Sequence, residues 1–136
     1  MRDFFNKKCI IIKNMKRLES QEDYLEKILQ LSQEKECVHA IDIAKAMSFS
    51  KPSVSIAMNK LKALGYIDIN DKGEITLTNE GLAIAEKTLE KHLILTKLLI
   101  QLGVDEETAK EDACRLEHDI SDSTWEAIKR HVDSHQ

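Results

Sequence analysis

The chain has 136 residues, of which 42% are hydrophobic and 32% charged, with a formal net charge of -4. That supplies apolar material for one small domain with an extension, and it excludes a disordered chain. No apolar run approaches the ~20 residues of a membrane helix. The cysteines Cys9, Cys37 and Cys114 form no close pair, which excludes a disulfide scaffold and predicts a reducing, cytoplasmic location.

The apolar patch from Cys9 to Ile12 is too short for a secretory core, and residues 1–19 are expected to be a flexible tail because the patterned sequence begins just after Met15. Ser20 then reads as the N-cap of a first helix running to about Lys35, with Asp23 in its first turn. Tyr24, Leu25, Ile28, Leu29 and Leu31 give that helix one apolar stripe. A short helix follows near Ile41 to Met47, with Ile41, Ile43 and Ala44 expected inward. Phe49 and Ser50 make a turn, and Ser50 caps a third helix with Pro52 in its first turn. Val54, Ala57, Met58, Leu61 and Leu64 should line its buried face, and Gly65 should end it.

Alternation over Tyr66–Ile69 and Glu74–Leu77 brackets Asn70-Asp71-Lys72-Gly73, which predicts a β-hairpin. A helix-turn-helix followed directly by a hairpin is a winged helix. Thr78 reads as the N-cap of a long apolar helix ended by Gly103. A further helix is expected from Asp105 to about Ile120, and a last one from Ser121 to His131. The expected fold is therefore mainly α with a small β-hairpin. It comprises an N-terminal winged helix-turn-helix DNA-binding domain over 20–77 and a C-terminal helical domain over 78–136. The apolar face of the second domain is most simply covered by a second copy, giving a homodimer.

Charge is distributed unevenly. From Ile43 to Ile67 there are lysines at 45, 51, 60 and 62 and no acid, so this end can face phosphate despite the acidic total. Within it, Ser50, Lys51, Pro52, Ser53, Ser55, Asn59 and Lys60 are the candidate DNA-binding residues. Hydroxyls and the amide can bond to bases or phosphates, and the lysines neutralise phosphate. A second set carries metal-ligand chemistry. Cys114, Glu117 and His118 stand at i, i+3 and i+4, which on one helix places thiol, carboxylate and imidazole on one face. His92 precedes Gly103 by as many residues as Cys114 follows it, so antiparallel pairing across that glycine sets the two side by side. Asp23 and Glu26 are i, i+3 on the first helix. Each of these residues also has a plainer role: a capping acid, a core histidine or a small buried thiol. Both interpretations stand on spacing alone.

The chain resembles the diphtheria-toxin-repressor family of metal-dependent transcriptional regulators, including its manganese-responsive branch. The resemblance covers roughly Leu18 to Val132. It rests on Glu22-Asp23-Tyr24-Leu25-Glu26-Lys27-Ile28, on Ser50-Lys51-Pro52-Ser53-Val54-Ser55, on Leu77-Thr78-Asn79-Glu80-Gly81 and on Asp112-Ala113-Cys114-Arg115-Leu116-Glu117-His118. It implies that Asp23, Glu26, His92, Glu117 and His118 ligate metal. Cys114 departs from the manganese branch, which has glutamate there, and agrees with the iron branch; Asp23 does the reverse. Thr96 and Lys110 stand where the iron branch has further ligands. The implied cofactor is a divalent transition metal, Mn²⁺ or Fe²⁺, with one or two ions per subunit, and Zn²⁺ or Co²⁺ as substitutes in vitro.

The function so implied is metal-dependent repression of metal-homeostasis genes from a pseudo-palindromic duplex operator, with no membrane partner. The cation would tie the DNA-binding half to the dimerising half and so set the spacing of two recognition helices. The competing expectation is a metal-independent winged-helix regulator whose cluster is structural. An enzyme is not expected, since the chain shows no catalytic motif and few pocket-forming elements.

Overall fold

The structure is a computed structural model and describes residues 21–135. The expected tail and the Ser20 cap lie outside the described residues. The chain forms two compact units that divide after Glu86.

In the first unit, α1 occupies residues 21–34. Tyr24, Leu25, Ile28 and Leu29 are buried along one stripe, as the spacing predicts. Helix α2 spans Ala40–Met47 and α3 spans Lys51–Ala63. Asp42 fastens the entry to α2: its carboxylate accepts from the backbone N–H of His39 at 2.9 Å and from Lys35 Nζ at 2.7 Å. Those bonds hold the Asp42 carboxyl below its ordinary value, the Lys35 ammonium contributing most. Ile43 and Ala44 are buried, but Ile41 is 44% exposed, against expectation. Two residues turn a helix by about 200°, so Ile41 and Ile43 cannot both face inward. On α3, Val54, Met58 and Leu61 are buried and Ala57 is half-buried. Leu64 is 49% exposed instead of joining them, because it is the C-cap and lies rotated off the stripe. Gly65 follows at φ +83, in the left-handed region that favours glycine.

The hairpin pairs β1 (Ile67–Ile69) with β2 (Ile75–Leu77), in antiparallel register Ile67↔Leu77 and Ile69↔Ile75. The Asn70 side-chain oxygen accepts from the N–H groups of Lys72 and Glu74, at 3.0 and 2.9 Å, and so folds the turn. Val38 bridges to Ile75, whose N–H donates to the Val38 carbonyl at 2.7 Å. This gives the hairpin a third pairing partner from the loop between α1 and α2, a contact that sequence alternation does not reveal.

Helix α4 (Asn79–Gln101) leaves the hairpin through a tight junction. The Thr78 hydroxyl donates to the Gly65 carbonyl at 2.7 Å and accepts from the Gly81 N–H at 3.2 Å. The Thr78 N–H donates to the Tyr66 carbonyl at 3.0 Å. A Cβ on Gly81 would lie 1.9 Å from that same Tyr66 oxygen, so only glycine fits.

In the second unit, α4 ends before Gly103, whose φ is +103. Asp105 caps α5 (Glu106–Leu116) by accepting from the Thr108 N–H at 3.0 Å. Ser121 caps α6 (Asp122–Ser134) by accepting from the Thr124 N–H at 3.2 Å. Helix α6 runs three residues past the expected His131 end. Leu95, Ala113 and Trp125, one from each helix, make the core, with Ile94, Leu99, Ile120 and Ile128 packed around it. Lys129 pairs with Glu90 at 2.7 Å across α6 and α4. No helix among the described residues is long and apolar enough to cross a membrane.

Candidate metal centre and nucleic-acid interface

The two candidate sites arise in different units. In the first, the start of α3 is set by Ser50, whose hydroxyl oxygen accepts from the Ser53 N–H at 3.3 Å. Pro52 follows in the first turn, where its missing N–H costs nothing. Because Val54, Met58 and Leu61 turn inward, the opposite side of α3 faces solvent. Ser50, Lys51, Pro52, Ser53, Ser55, Asn59 and Lys60 are all exposed. Lys60 and Lys62 stand in the last turn, and no acid lies in the first. This face presents hydroxyls, an amide and ammonium groups from one rigid element, the chemistry that meets phosphates and base edges.

Ile56 shares this face and was not among the expected residues. It is 62% exposed. The signal that could have found it is helical phase: it lies about 200° round the helix from Val54.

In the second unit, α5 does not continue to Ile120 as expected. It stops at Leu116, with Glu117 as C-cap. The Asp119 N–H bonds to the Leu116 carbonyl at 3.0 Å, a tightened final turn. Glu117 and His118 therefore occupy this turn, while Cys114 is half-buried on the helix before it. His92, on α4, has its Nδ1 3.5 Å from Glu117 Oε2. His118 Nε2 lies 3.3 Å from Glu117 Oε1. One carboxylate thus stands between two imidazoles. The equal spacing about Gly103 set His92 beside Cys114. The structure brings His92 to Glu117, one turn beyond Cys114.

Glu117 is 2% exposed, and neither of its oxygens receives a hydrogen bond among the described residues. A carboxylate buried in this way is costly unless something positive satisfies it. Carboxylate oxygen with imidazole nitrogen is also a donor set suited to divalent first-row metals. The residues fit a cation. In the first unit, Asp23 is half-buried and Glu26 is buried at 7% exposure, three residues apart on α1.

Comparison with known proteins bears on both sites. The family described as "Iron dependent repressor, N-terminal DNA binding domain" matches residues 17–75. "Iron dependent repressor, metal binding and dimerisation domain" matches residues 78–136. An uncharacterized HTH-type transcriptional regulator of Methanocaldococcus jannaschii is 38% identical over 113 residues, which cover 82% of this chain and 90% of that protein. The transcriptional regulator MntR of Salmonella typhimurium is 32% identical over 124 residues, covering 91% of this chain and 79% of that protein. Among solved structures, the manganese regulator SloR aligns with a TM-score of 0.73 at 32% identity, covering 83% of this chain. This chain spans only 53% of the SloR chain.

Proposed function

Because the chain belongs to the iron-dependent repressor family, we propose that it is a metal-dependent DNA-binding transcriptional regulator, with Mn²⁺ or Fe²⁺ as co-repressor at metal-homeostasis genes. The observation that carries this reading is Glu117: a buried carboxylate that receives no hydrogen bond among the described residues and stands between His92 and His118.

His92, Glu117, His118 and Cys114 are the proposed ligands from the second unit, and Asp23 and Glu26 add carboxylates from the first. A bound cation supplies the positive charge that lets these acids collect without repulsion. His92 and His118 offer neutral imidazole nitrogens, which favour transition metals over Mg²⁺ or Ca²⁺. The Cys114 thiol is the softest donor of the set and pulls selectivity towards Fe²⁺, Zn²⁺ or Co²⁺.

On the DNA side, the Ser50, Ser53 and Ser55 hydroxyls and Asn59 bond to bases and phosphates. Lys51 and Lys60 neutralise phosphate and release counterions. The active form is a homodimer on a pseudo-palindromic operator, since paired helix-turn-helix units read half-sites related by two-fold symmetry. Occupancy of the metal site selects the DNA-competent arrangement, and a coupling of about 1–3 kcal/mol is enough for a switch. The protein acts in the cytoplasm and is no enzyme.

The test is fluorescence anisotropy of the purified full chain on duplex DNA from upstream of its own gene, run anaerobically. Binding in Mn²⁺ or Fe²⁺ but not in chelator is expected. Equal binding in chelator would overturn the metal dependence and make the Glu117 cluster structural.

A further inference from the structure

The end of α6 carries two histidines that the metal centre above does not use. His131 and His135 stand at i and i+4, and both are exposed. Residues four apart share one face of a helix, and at that spacing a pair of imidazoles can hold one metal ion. Val132 beside them is 1% exposed, so this turn is anchored and the pair is presented from a fixed base. The two rings stack, with centroids 4.2 Å apart and planes within 28° of parallel.

Hydrogen bonding decides which nitrogen of His135 is available. Its Nδ1 lies 2.8 Å from the His131 carbonyl oxygen. A carbonyl oxygen only accepts, so Nδ1 carries the proton and Nε2 of the neutral ring keeps its lone pair. The Ser134 hydroxyl donates to the same carbonyl at 2.9 Å and lies 3.0 Å from Nδ1. A backbone carbonyl on the other ring nitrogen is the arrangement that orients ligating histidines and raises their basicity. Two nitrogens on a tetrahedral Zn²⁺ stand ~3.4 Å apart, given bonds of ~2.1 Å. Stacked rings reach that separation by small side-chain rotations. The pair also sits at a helix C-terminus, where the helix dipole favours a cation.

We propose that His131 and His135 form a second metal site, separate from the Glu117 centre, that takes Zn²⁺, Cu²⁺ or Ni²⁺ and discriminates against Mn²⁺. The donor set is nitrogen alone. Asp133 is turned about 200° round the helix from either histidine and adds no oxygen to this face. Mn²⁺ stands at the weak end of the first-row series and prefers oxygen ligands, whereas imidazole suits the later metals. Water completes the coordination. The site belongs to α6 by itself and does not depend on the regulatory function proposed above.

The experiment is equilibrium dialysis of the full chain, anaerobic and with thiols reduced, against Zn²⁺ and separately against Mn²⁺. Wild type, His131→Ala, His135→Ala and Glu117→Gln are compared. Each histidine variant should hold one Zn²⁺ per chain fewer than the wild type, its affinity at this site lowered at least about tenfold. Their Mn²⁺ uptake should be unchanged. In long-range ¹H–¹⁵N spectra, Zn²⁺ should shift Nε2 of His135 together with the His131 ring, in the wild type and in Glu117→Gln alike. His131→Ala keeps the backbone carbonyl that His135 and Ser134 bond, so its circular dichroism spectrum in chelator should match the wild type and separates loss of a ligand from loss of the helix end. Equal zinc uptake by the wild type and both histidine variants would overturn the site. So would a parallel loss of Mn²⁺ uptake, or loss of the paired shifts in Glu117→Gln, since either would tie these histidines to the other centre.

Discussion

The junction that leads from the hairpin into α4 and the turn that follows α5 handle buried polar groups in opposite ways. At the junction, the Thr78 hydroxyl both donates and accepts, and the Tyr66 carbonyl is met by the Thr78 N–H. At the turn, Glu117 is buried, and its oxygens lie 3.3 and 3.5 Å from two imidazoles without receiving a hydrogen bond among the described residues. The first region is complete as folded. The second is the proposed cation site. A scaffold and a sensor need different chemistry: one must be stable without help, and the other must have a stability that depends on a ligand.

The largest effect should come from breaking the complete region. Gly81→Ala puts a Cβ 1.9 Å from the Tyr66 oxygen, and backbone on both sides must move. A loss of about 3 kcal/mol is expected, as for severe overpacking. Urea titration should show that loss equally in chelator and in Mn²⁺. Nearly as large, but conditional, is the effect of neutralising the sensor. With metal a hundredfold above its dissociation constant, the wild type should gain about 2.7 kcal/mol over its chelated form. Glu117→Gln keeps the shape and removes the charge, so that gain should vanish while stability in chelator is preserved or raised. Equal metal-linked gains in both proteins would show that Glu117 is not a ligand.

A smaller change sharpens the junction itself. Thr78→Val removes a hydroxyl that satisfies both Gly65 and Gly81, and should cost about 1–2 kcal/mol regardless of metal. The smallest effect concerns pH. The folded state holds the Asp42 carboxyl below its ordinary value through Lys35 and the His39 N–H. Folded protein therefore takes up that proton less readily than the unfolded chain. Its contribution is present above the ordinary carboxylate range near ~4 and fades as pH falls through and below it. Asp42→Asn should lower the unfolding free energy at neutral pH by about 1 kcal/mol or less, and the gap to the wild type should close in acid. A gap that widens in acid would contradict the assignment.

These same regions explain what could be read from residue order. Ser50, Pro52, Asn70, Thr78 and Gly103 act within a few neighbours, so each predicts its own cap or turn. Helical phase located Tyr24, Leu25 and Ile28, and misplaced Ile41 and Leu64 at helix ends, where a stripe has too few turns to define its face. The reason for Gly81 was not legible, because it depends on the Tyr66 carbonyl, on the far side of the hairpin in the chain. The candidate metal residues were visible as residue types, but the approach of His92 to Glu117 depends on how α4 packs on the turn after α5. Spacing measured from a single glycine could not supply that. Ile56 escaped notice because an apolar residue in a helix is ordinarily assigned to a core.

The bridge between Val38 and Ile75 has a kinetic consequence. Three-residue strands joined by a turn are too small to persist alone in water. The hairpin becomes durable only when Val38 closes on it, and the loop so closed contains α2, α3 and β1. Closure on that scale comes late, after the enclosed helices have packed. In hydrogen exchange, the Ile75 amide should therefore open only with the whole first unit, at its full unfolding free energy. The amide of Asp71, a residue exposed at the tip, should exchange orders of magnitude sooner. The wing is then a late-folding element whose root should be as durable as the core.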